Sequence, residues 1–208
     1  MRIVVLHPIF IVSALIAAFC AAPAAARNDD VVSSTFDAYS LSAPTPLVVV
    51  VCHGFGCRYR TEVGFSPADR ARLAQIMGAG RKSPEAERQA VGVAGAWFDR
   101  RVGPSAGTQR RVARAGYKHM NDAGQFDCID TSRNITSLLL VLDQLKLLRH
   151  HSVEVPKARG YLIDGRPPHV TAVLSEKKSG TAWTIDSWTR GYGEKPEIMQ
   201  LERWMTLD

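Results

Sequence analysis

The chain lacks several features that would point to particular classes of protein. After residue 26 it has no apolar run long enough to cross a bilayer, which excludes a transmembrane span in that part of the chain. It has no internal repeat and no low-complexity tract. About 180 residues follow the N-terminal leader, enough for one domain with a substantial core and too few for two. We therefore expect a single domain over residues 47–208.

Aromatic residues are also scarce, at 8% of the chain, and this bears on its net charge of +6. Nucleic acid is the usual partner of such a basic chain. The arginines between residues 58 and 114 are scattered, however, and aromatic platforms are not interleaved with them. We expect no nucleic-acid partner, and instead a solvated basic surface drawn weakly to anionic membrane or cell-wall polymers. The sequence leaves the oligomeric state open.

The N-terminus has the pattern of a secretory signal peptide, predicted over residues 1–26. Arg2 gives a short positive region, residues 9–19 an apolar core, and residues 22–26 a small-residue cleavage site. Bulky Phe19 before Cys20 argues against a lipoprotein cleavage site. The sequence thus predicts a periplasmic or secreted protein. Residues 27–46 are polar, contain two prolines and are interpreted as a linker.

Export leaves an odd number of cysteines in the mature chain, because Cys20 is removed with the leader. In an oxidising compartment one of the remaining three is left unpaired. Cys52 and Cys57 flank a flexible glycine-containing loop, so we predict a disulfide between them and a free Cys128. A zinc site at the same pair, with His53, is the alternative. Its Cys-x4-Cys spacing is not a strong ligand pattern, and we expect no metal.

Cys128 falls near the start of the most apolar helix predicted after the leader, within residues 124–148. A buried face is indicated by leucine and isoleucine at spacings of three and four. The positive end of a helix dipole favours a thiolate over a thiol, as a nucleophilic sulfur requires. The alternative is a cysteine buried as a small hydrophobe.

Other elements follow from shorter signals. Strands are predicted over 47–51, 57–63 and 161–163, with a loop directly after the cysteine helix. Ser66 and Ser83, each followed by proline, predict helix starts. The first helix should run to about Met77. The second should run towards Arg101 and be broken by residues 103–107. His150 and His151 are expected to be solvent-exposed.

Two further strands, residues 168–174 and 181–186, are joined by a polar turn. A hairpin closing symmetrically about Lys177 and Lys178 would place His169 opposite Asp186, with both side chains on one face. Direct cross-strand neighbours have Cβ atoms roughly 4.5–5.5 Å apart, within reach of an imidazole–carboxylate hydrogen bond. Trp188 would lie on the same face and shield the pair. The alternative is a surface His–Asp pair on an edge strand.

An unpaired cysteine at a helix start and a histidine oriented by an acid form the nucleophile, base and orienting group of thiol acyl transfer. We predict that Cys128 is a low-pKa thiolate, that His169 exchanges the proton, and that Asp186 holds the imidazole tautomer. For the oxyanion, we expect the backbone N–H of Cys128, with the Gln125 or Asn121 side chain as its partner.

These residues carry a family resemblance. The order Cys128, His169, Asp186 resembles the transglutaminase-like cysteine peptidases of the papain-like superfamily. The Asp-Cys-x-Asp motif at residues 127–130 is most similar to the bacterial transglutaminase-like cysteine proteinases. The resemblance implies an α+β fold in which the nucleophile's helix packs on an antiparallel sheet, and a protein or peptide substrate. It implies bound calcium in some members, but Ile129 stands where their second acid would be, so no cofactor is expected.

Two other functions fit parts of the sequence. Ser105 lies in a G-x-S-x-G motif, and residues 53–56 resemble an esterase oxyanion loop, as in a serine hydrolase of the α/β type. Ser105 lacks the apolar strand before it and the apolar helix after it that this fold requires. A non-catalytic exported binding module of the same fold is the other alternative. The best-fitting function is an exported enzyme that hydrolyses peptide or amide bonds through Cys128, His169 and Asp186, or passes the acyl group to an amine.

Overall fold

The structure, a computed structural model, describes residues 24–160 and 167–207. Within these ranges the fold is of the α+β class, with a two-stranded and a four-stranded antiparallel sheet. The helices are α1 Ala24–Thr35, α2 Pro67–Gly78, α3 Pro84–Ala106, α4 Cys128–Gln144 and α5 Leu201–Met205. The strands are β1 Val48–His53, β2 Tyr59–Gly64, β3 His151–Arg159, β4 His169–Glu176, β5 Ala182–Asp186 and β6 Glu197–Gln200.

Helix α4 occupies the centre of the molecule. It packs on β3, β4 and β5 of the four-stranded sheet, whose order is β3-β4-β5-β6, and on β1 of the smaller sheet. From Ile135 to Leu142 its aliphatic side chains are buried, as sequence periodicity predicted, and they meet the inward-facing residues of β4 and β5. The polar residues of α4 are buried too, so that almost every side of this helix is covered. The shared core contains Leu138, Leu139, Leu142, Ala172, Leu174 and Ile185.

The two predicted serine caps are present, but α3 extends further than expected. The Ser66 and Ser83 side chains accept hydrogen bonds from the backbone N–H three residues on. Helix α3 continues through Pro104 to Ala106 and ends at Gly107, which has φ +71°. Its buried Val102 and Ala106 anchor the last turns in the core. Proline lacks the N–H that would bond the Arg100 carbonyl, and this carbonyl accepts a hydrogen bond from the Tyr192 hydroxyl instead.

The prediction of a linker over residues 27–46 is wrong. Helix α1 and a short 3-10 helix, Asp37–Tyr39, occupy most of it, and α1 packs against β3. Val31, Phe36 and Leu41 are at most 6% exposed and belong to the core. These apolar residues are five apart, which matches neither the helix nor the strand period. The sequence pattern therefore gave no sign of their burial. Most of the predicted leader lies outside the described residues.

The predicted loop after the cysteine helix is confined to residues 145–150, and the sequence missed the strand that follows, because residues 151–159 form β3. His151 is fully buried rather than in solvent, and its Nδ1 lies 2.9 Å from the Glu87 carboxylate. Glu87 also accepts hydrogen bonds from the backbone N–H groups of residues 149–151. Burial opposes ionisation of Glu87, but these bonds hold its pKa below the usual value. The predicted strand at residues 161–163 lies outside the described residues. No helix in the described ranges is long and apolar enough to cross a membrane.

Candidate active site

Cys128 is the first residue of α4, and the sequence around it builds the helix start. Asp127 is the N-cap residue, and its side chain accepts a hydrogen bond of 2.8 Å from the Asp130 backbone N–H. The Asp130 side chain reaches back to the Asp127 N–H, which completes a reciprocal capping box. The thiol is thereby held at the positive end of the helix, where sequence analysis placed it. Cys128 is free and half-buried.

His169 opens β4 and Asp186 closes β5, but the hairpin register differs from the predicted one. Thr184 pairs with Val173 rather than with Thr171, so the ladder is displaced by two residues. The prediction that His169 lies directly opposite Asp186 is therefore wrong. A shift of two residues leaves each side chain on its original face, because side chains alternate along a strand. His169 Nε2 still reaches Asp186 Oδ2, at 2.6 Å, as a diagonal neighbour.

Two tryptophans enclose the His–Asp pair. The imidazole lies 4.8 Å from the Trp188 ring and 5.4 Å from the Trp204 ring, measured between centroids. Trp204 Nε1 donates to Asp186 Oδ2 at 3.2 Å, and the Trp188 backbone N–H donates to Oδ1 at 3.1 Å. Asp186 is 3% exposed, and its carboxylate is held by three groups: His169 Nε2, the Trp204 indole N–H and the Trp188 backbone N–H. Trp188 was expected here; Trp204, on the C-terminal helix α5, was missed, since no local pattern links it to the hairpin.

His169 and Cys128 line the same cavity, which has a volume of about 800 Å³. Within the described ranges, no hydrogen-bond partner reaches His169 Nδ1, although this atom is buried. The backbone N–H of Val170, the residue after the histidine, interacts favourably with the Cys128 thiolate. The imidazole thus has one nitrogen held by a carboxylate and the other unpartnered in a cavity that also contains the thiol.

The electrostatic surroundings of Cys128 differ from those predicted. Burial raises the pKa of its thiol, and the negative charges of Asp127 and Asp186 raise it further. The N–H groups of Val170 and of Cys128 itself pull the other way and do not reverse the shift. The expectation of a low-pKa thiolate is therefore wrong for this structure. The raised pKa disfavours the thiolate, so a base beside Cys128 would favour its action as a nucleophile.

The raised pKa predicts the pH dependence of Cys128 alkylation. The rate with iodoacetamide should follow the thiolate fraction and keep rising above about pH 8.5, the value for a free thiol, with no plateau on the acid side. The labelling reaction is quenched at set times with the Cys52–Cys57 disulfide intact, and peptide mapping then gives the alkylation rate of Cys128 at each pH. Glutathione in the same buffers is the control. A plateau reached below pH 7 would contradict the raised pKa.

The loop joining β1 to β2 is held against the start of α4. Cys52 and Cys57 form the predicted disulfide. Residues 54–57 all have positive φ, from 58° to 77°, which is unfavourable for the two that are not glycine, Phe55 and Cys57. Three backbone N–H groups of this loop donate to the capping carboxylates. Those of Cys57 and Phe55 donate to Asp130 at 2.6 Å and 2.9 Å, and that of Gly56 donates to Asp127 at 2.8 Å. The disulfide and these bonds together stabilise the left-handed loop.

The same contacts argue against calcium at this position. Each carboxylate oxygen of Asp127 and Asp130 already accepts a hydrogen bond from a backbone N–H. The groups around these oxygens are therefore donors, which suit an anion and not a cation. Burial and the neighbouring Asp127 raise the pKa of Asp130 to about 7, which disfavours the ionised ligand that calcium needs. The bracketing position holds Ile129, which has no ligand atom. Among the described residues no group of three or more His, Cys, Asp or Glu side chains is placed to bind a metal ion.

Removing the disulfide should lower stability without removing the core. The entropy of closing so short a loop predicts that Cys52→Ala/Cys57→Ala lowers the free energy of unfolding by about 2 kcal/mol. Urea denaturation followed by tryptophan fluorescence measures the change. Cys128→Ala is the control, expected to alter stability by less than about 1 kcal/mol. Equal stability of the double variant and wild type would show that the hydrogen bonds alone hold the loop.

Neither side chain predicted as the oxyanion partner is available for that role. The Gln125 amide is buried and bonded to a neighbouring loop: its oxygen accepts the Val112 N–H at 2.9 Å, and its nitrogen donates to the Arg110 carbonyl at 3.2 Å. Asn121 is exposed and does not line the cavity. The backbone N–H of Cys128 is at the first position of α4, where a helix N–H has no carbonyl partner within the helix. It remains the candidate donor.

The serine-esterase alternative does not fit the structure. Ser105 lies in the last turn of α3, exposed, rather than on a sharp turn between a strand and a helix. It is not among the residues that line the cavity. The zinc alternative also fails, because Cys52 and Cys57 are joined to each other and His53 bonds the Ala123 carbonyl and the Thr61 hydroxyl.

Comparison of the chain with protein-family models, with curated proteins and with solved structures finds no match. Arguments about its function therefore rest on the site itself.

Proposed function

We propose that this protein is a thiol-dependent acyl-transfer enzyme that hydrolyses peptide or amide bonds, with Cys128 as nucleophile, His169 as base and Asp186 as orienting acid. The observation that carries the proposal is that one cavity is lined by a free thiol and by a histidine whose Nε2 is held by a buried carboxylate and whose Nδ1 has no partner among the described residues. The similarity in residue order and motif to transglutaminase-like cysteine peptidases supports it, as does the packing of α4 on an antiparallel sheet.

The chemistry begins with removal of the thiol proton, because the surroundings of Cys128 raise its pKa. His169 Nδ1 takes the proton from Cys128 as the sulfur attacks the substrate carbonyl carbon, and Asp186 stabilises the imidazolium. The Cys128 N–H donates to the developing oxyanion. The C–N bond then breaks, the leaving amine takes the proton from Nδ1, and a thioester remains on Cys128. Water, deprotonated by Nδ1, attacks the thioester, and release of the acid restores the thiol.

We also propose that the enzyme works in an exported compartment. The disulfide supports this, because such bonds persist in oxidising compartments and are rare in the cytosol. The leader pattern of residues 1–26 is the second support.

A substrate-independent test uses an activated ester. Wild type mixed with p-nitrophenyl acetate should release a burst of about one p-nitrophenolate per protein as Cys128 is acylated, with the acetyl group located on Cys128 by mass spectrometry. Cys128→Ala should abolish the burst. Ser105→Ala is the matched control, and its burst should equal that of wild type.

Three outcomes are informative. A burst lost in Cys128→Ala but kept in Ser105→Ala supports the proposal. A burst that survives Cys128→Ala would overturn it. Acylation of Cys128 without any faster breakdown of the thioester than in the unfolded protein would identify a binding module that has lost turnover.

A further inference from the structure

The cavity wall contains a buried cation, Arg133, that no carboxylate of the described residues neutralises. Arg133, on α4, is 7% exposed and lines the cavity wall. Its guanidinium carbon lies 3.7 Å from the centre of the Tyr39 ring. Within the described ranges no carboxylate lies at salt-bridge distance from Arg133, and its guanidinium makes no hydrogen bond. Burying a charge without a counter-charge is costly, so an anion bound in the cavity would stabilise this guanidinium.

Arg111 shows how this protein treats a buried arginine that has only a structural role. Its guanidinium makes a salt bridge of 2.8 Å with Asp99 and donates to the Arg190 carbonyl at 2.7 Å. A third partner, the Ser187 hydroxyl, lies at 3.3 Å, so all three partners come from the chain itself. Arg133 differs in two ways. In the described part of the chain its guanidinium packs on the Tyr39 ring and has no salt bridge or hydrogen bond. It also lines an open cavity.

A second polar group without a partner lies in the same cavity. Thr35 Oγ1 is buried and has no hydrogen-bond partner among the described residues, and Thr35 lines the cavity beside the segment that carries Tyr39. Ser132, directly before Arg133, also lines it. A guanidinium and hydroxyl groups are donors that suit a carboxylate.

The spacing relates these donors to the nucleophile. Cys128 and Ser132 are four residues apart and so share one face of α4. Arg133, five residues on, lies about 7.5 Å further along the helix axis than Cys128 and roughly 140° around it, yet both residues line the cavity. The axial offset corresponds to about two residues of an extended peptide. One substrate can therefore reach both groups.

We propose that Arg133 binds a carboxylate of the substrate and thereby selects peptides that carry an acidic group within about two residues of the scissile bond. The carboxylate is an aspartate or glutamate side chain or a free C-terminus. The inference deepens the proposed function and rests on it for the identity of the reaction. Its test, however, needs only the Cys128 thiol.

The test compares three iodoacetylated dipeptides that alkylate Cys128. Iodoacetyl-Gly-Glu-amide carries a side-chain carboxylate, iodoacetyl-Gly-Gln with a free C-terminus carries a terminal carboxylate, and iodoacetyl-Gly-Gln-amide is neutral. At one pH, wild type should react at least about tenfold faster with one acidic dipeptide than with the neutral one. The faster of the two acidic dipeptides identifies the source of the carboxylate.

Variants separate Arg133 from the general positive charge of the protein. Arg133→Met keeps most of the packing against Tyr39 and should reduce the acidic-to-neutral rate ratio to about one. Arg133→Lys keeps the charge but loses the planar fork, and an intermediate ratio is expected, which gives a second readout if the methionine variant folds poorly. Arg114→Met is the matched control, because Arg114 is an exposed arginine on the same cavity wall, and the ratio should stay near the wild-type value.

A wild-type ratio near one, or a preference that survives Arg133→Met or is lost only in Arg114→Met, would overturn the inference. Because alkylation does not require turnover, these results are independent of the ester burst. A normal burst with no carboxylate preference would remove the inference and leave the proposed function standing. A carboxylate preference without a burst would remove the proposed function and leave carboxylate binding by Arg133 standing.

Discussion

Replacing Asp186 with asparagine is expected to slow acylation of Cys128 by roughly 10⁴-fold, the loss seen when the acid of a serine triad is changed in this way. The asparagine amide would donate to His169 Nε2, so the ring proton would move to Nδ1. Nδ1 could then no longer accept the thiol proton. Since burial raises the pKa of Cys128, the thiol depends on this base. The rate constant of the p-nitrophenyl acetate burst measures the effect.

A double variant separates this loss from a loss of folding. The asparagine nitrogen would also face the Trp204 indole N–H, which now donates to Asp186 at 3.2 Å, so two donors would oppose each other. Asp186→Asn alone should lower the free energy of unfolding by about 1–3 kcal/mol. Asp186→Asn/Trp204→Phe removes the opposing donor and should recover part of the stability but none of the acylation rate. A single variant that keeps more than a tenth of the wild-type rate would refute the role of Asp186.

Phe36→Ala is expected to lower the free energy of unfolding by about 3–5 kcal/mol, the usual loss for removing a buried phenylalanine ring. The residue lies in the segment that sequence analysis interpreted as a linker, yet it is 2% exposed. A change of this size is a large share of the stability of a single domain. Urea denaturation of the purified variant measures it from the shift in midpoint.

Leu47→Ala provides the control for this prediction. Leu47 is an apolar residue close to the same segment but is 62% exposed, so its replacement should change stability by about 0.5 kcal/mol or less. If Phe36→Ala is as stable as Leu47→Ala, the N-terminal helix does not belong to the core. The assignment of residues 27–46 as a linker would then stand.

Local signals in the sequence were sufficient to locate the candidate reactive groups. The leucine periodicity placed Cys128 at a helix start, and its capping acids are neighbours in the chain. The disulfide followed from the odd cysteine count and the short spacing of its two members. The shared face of His169 and Asp186 followed from strand alternation, which survives a two-residue change of register.

Burial, by contrast, was decided by contacts between distant parts of the chain. Phe36 and His151 lie in segments without periodicity, and they are buried because α1 and Glu87 meet β3. The Gln125 amide cannot act as the predicted oxyanion donor, because it is bonded to a loop 13 residues away in the chain.

The electrostatics of the site depend on the same long-range packing. The predicted thiolate rested on the helix dipole, a local effect, whereas desolvation and the charge of Asp186 raise the pKa of Cys128 and come from the folded sheet. Trp204 reaches Asp186 only through the docking of the C-terminal helix. The sequence alone thus determined which groups are available for chemistry. Tertiary structure decided the direction in which the pKa of Cys128 shifts, because the free energy of a charge depends on every group that surrounds it.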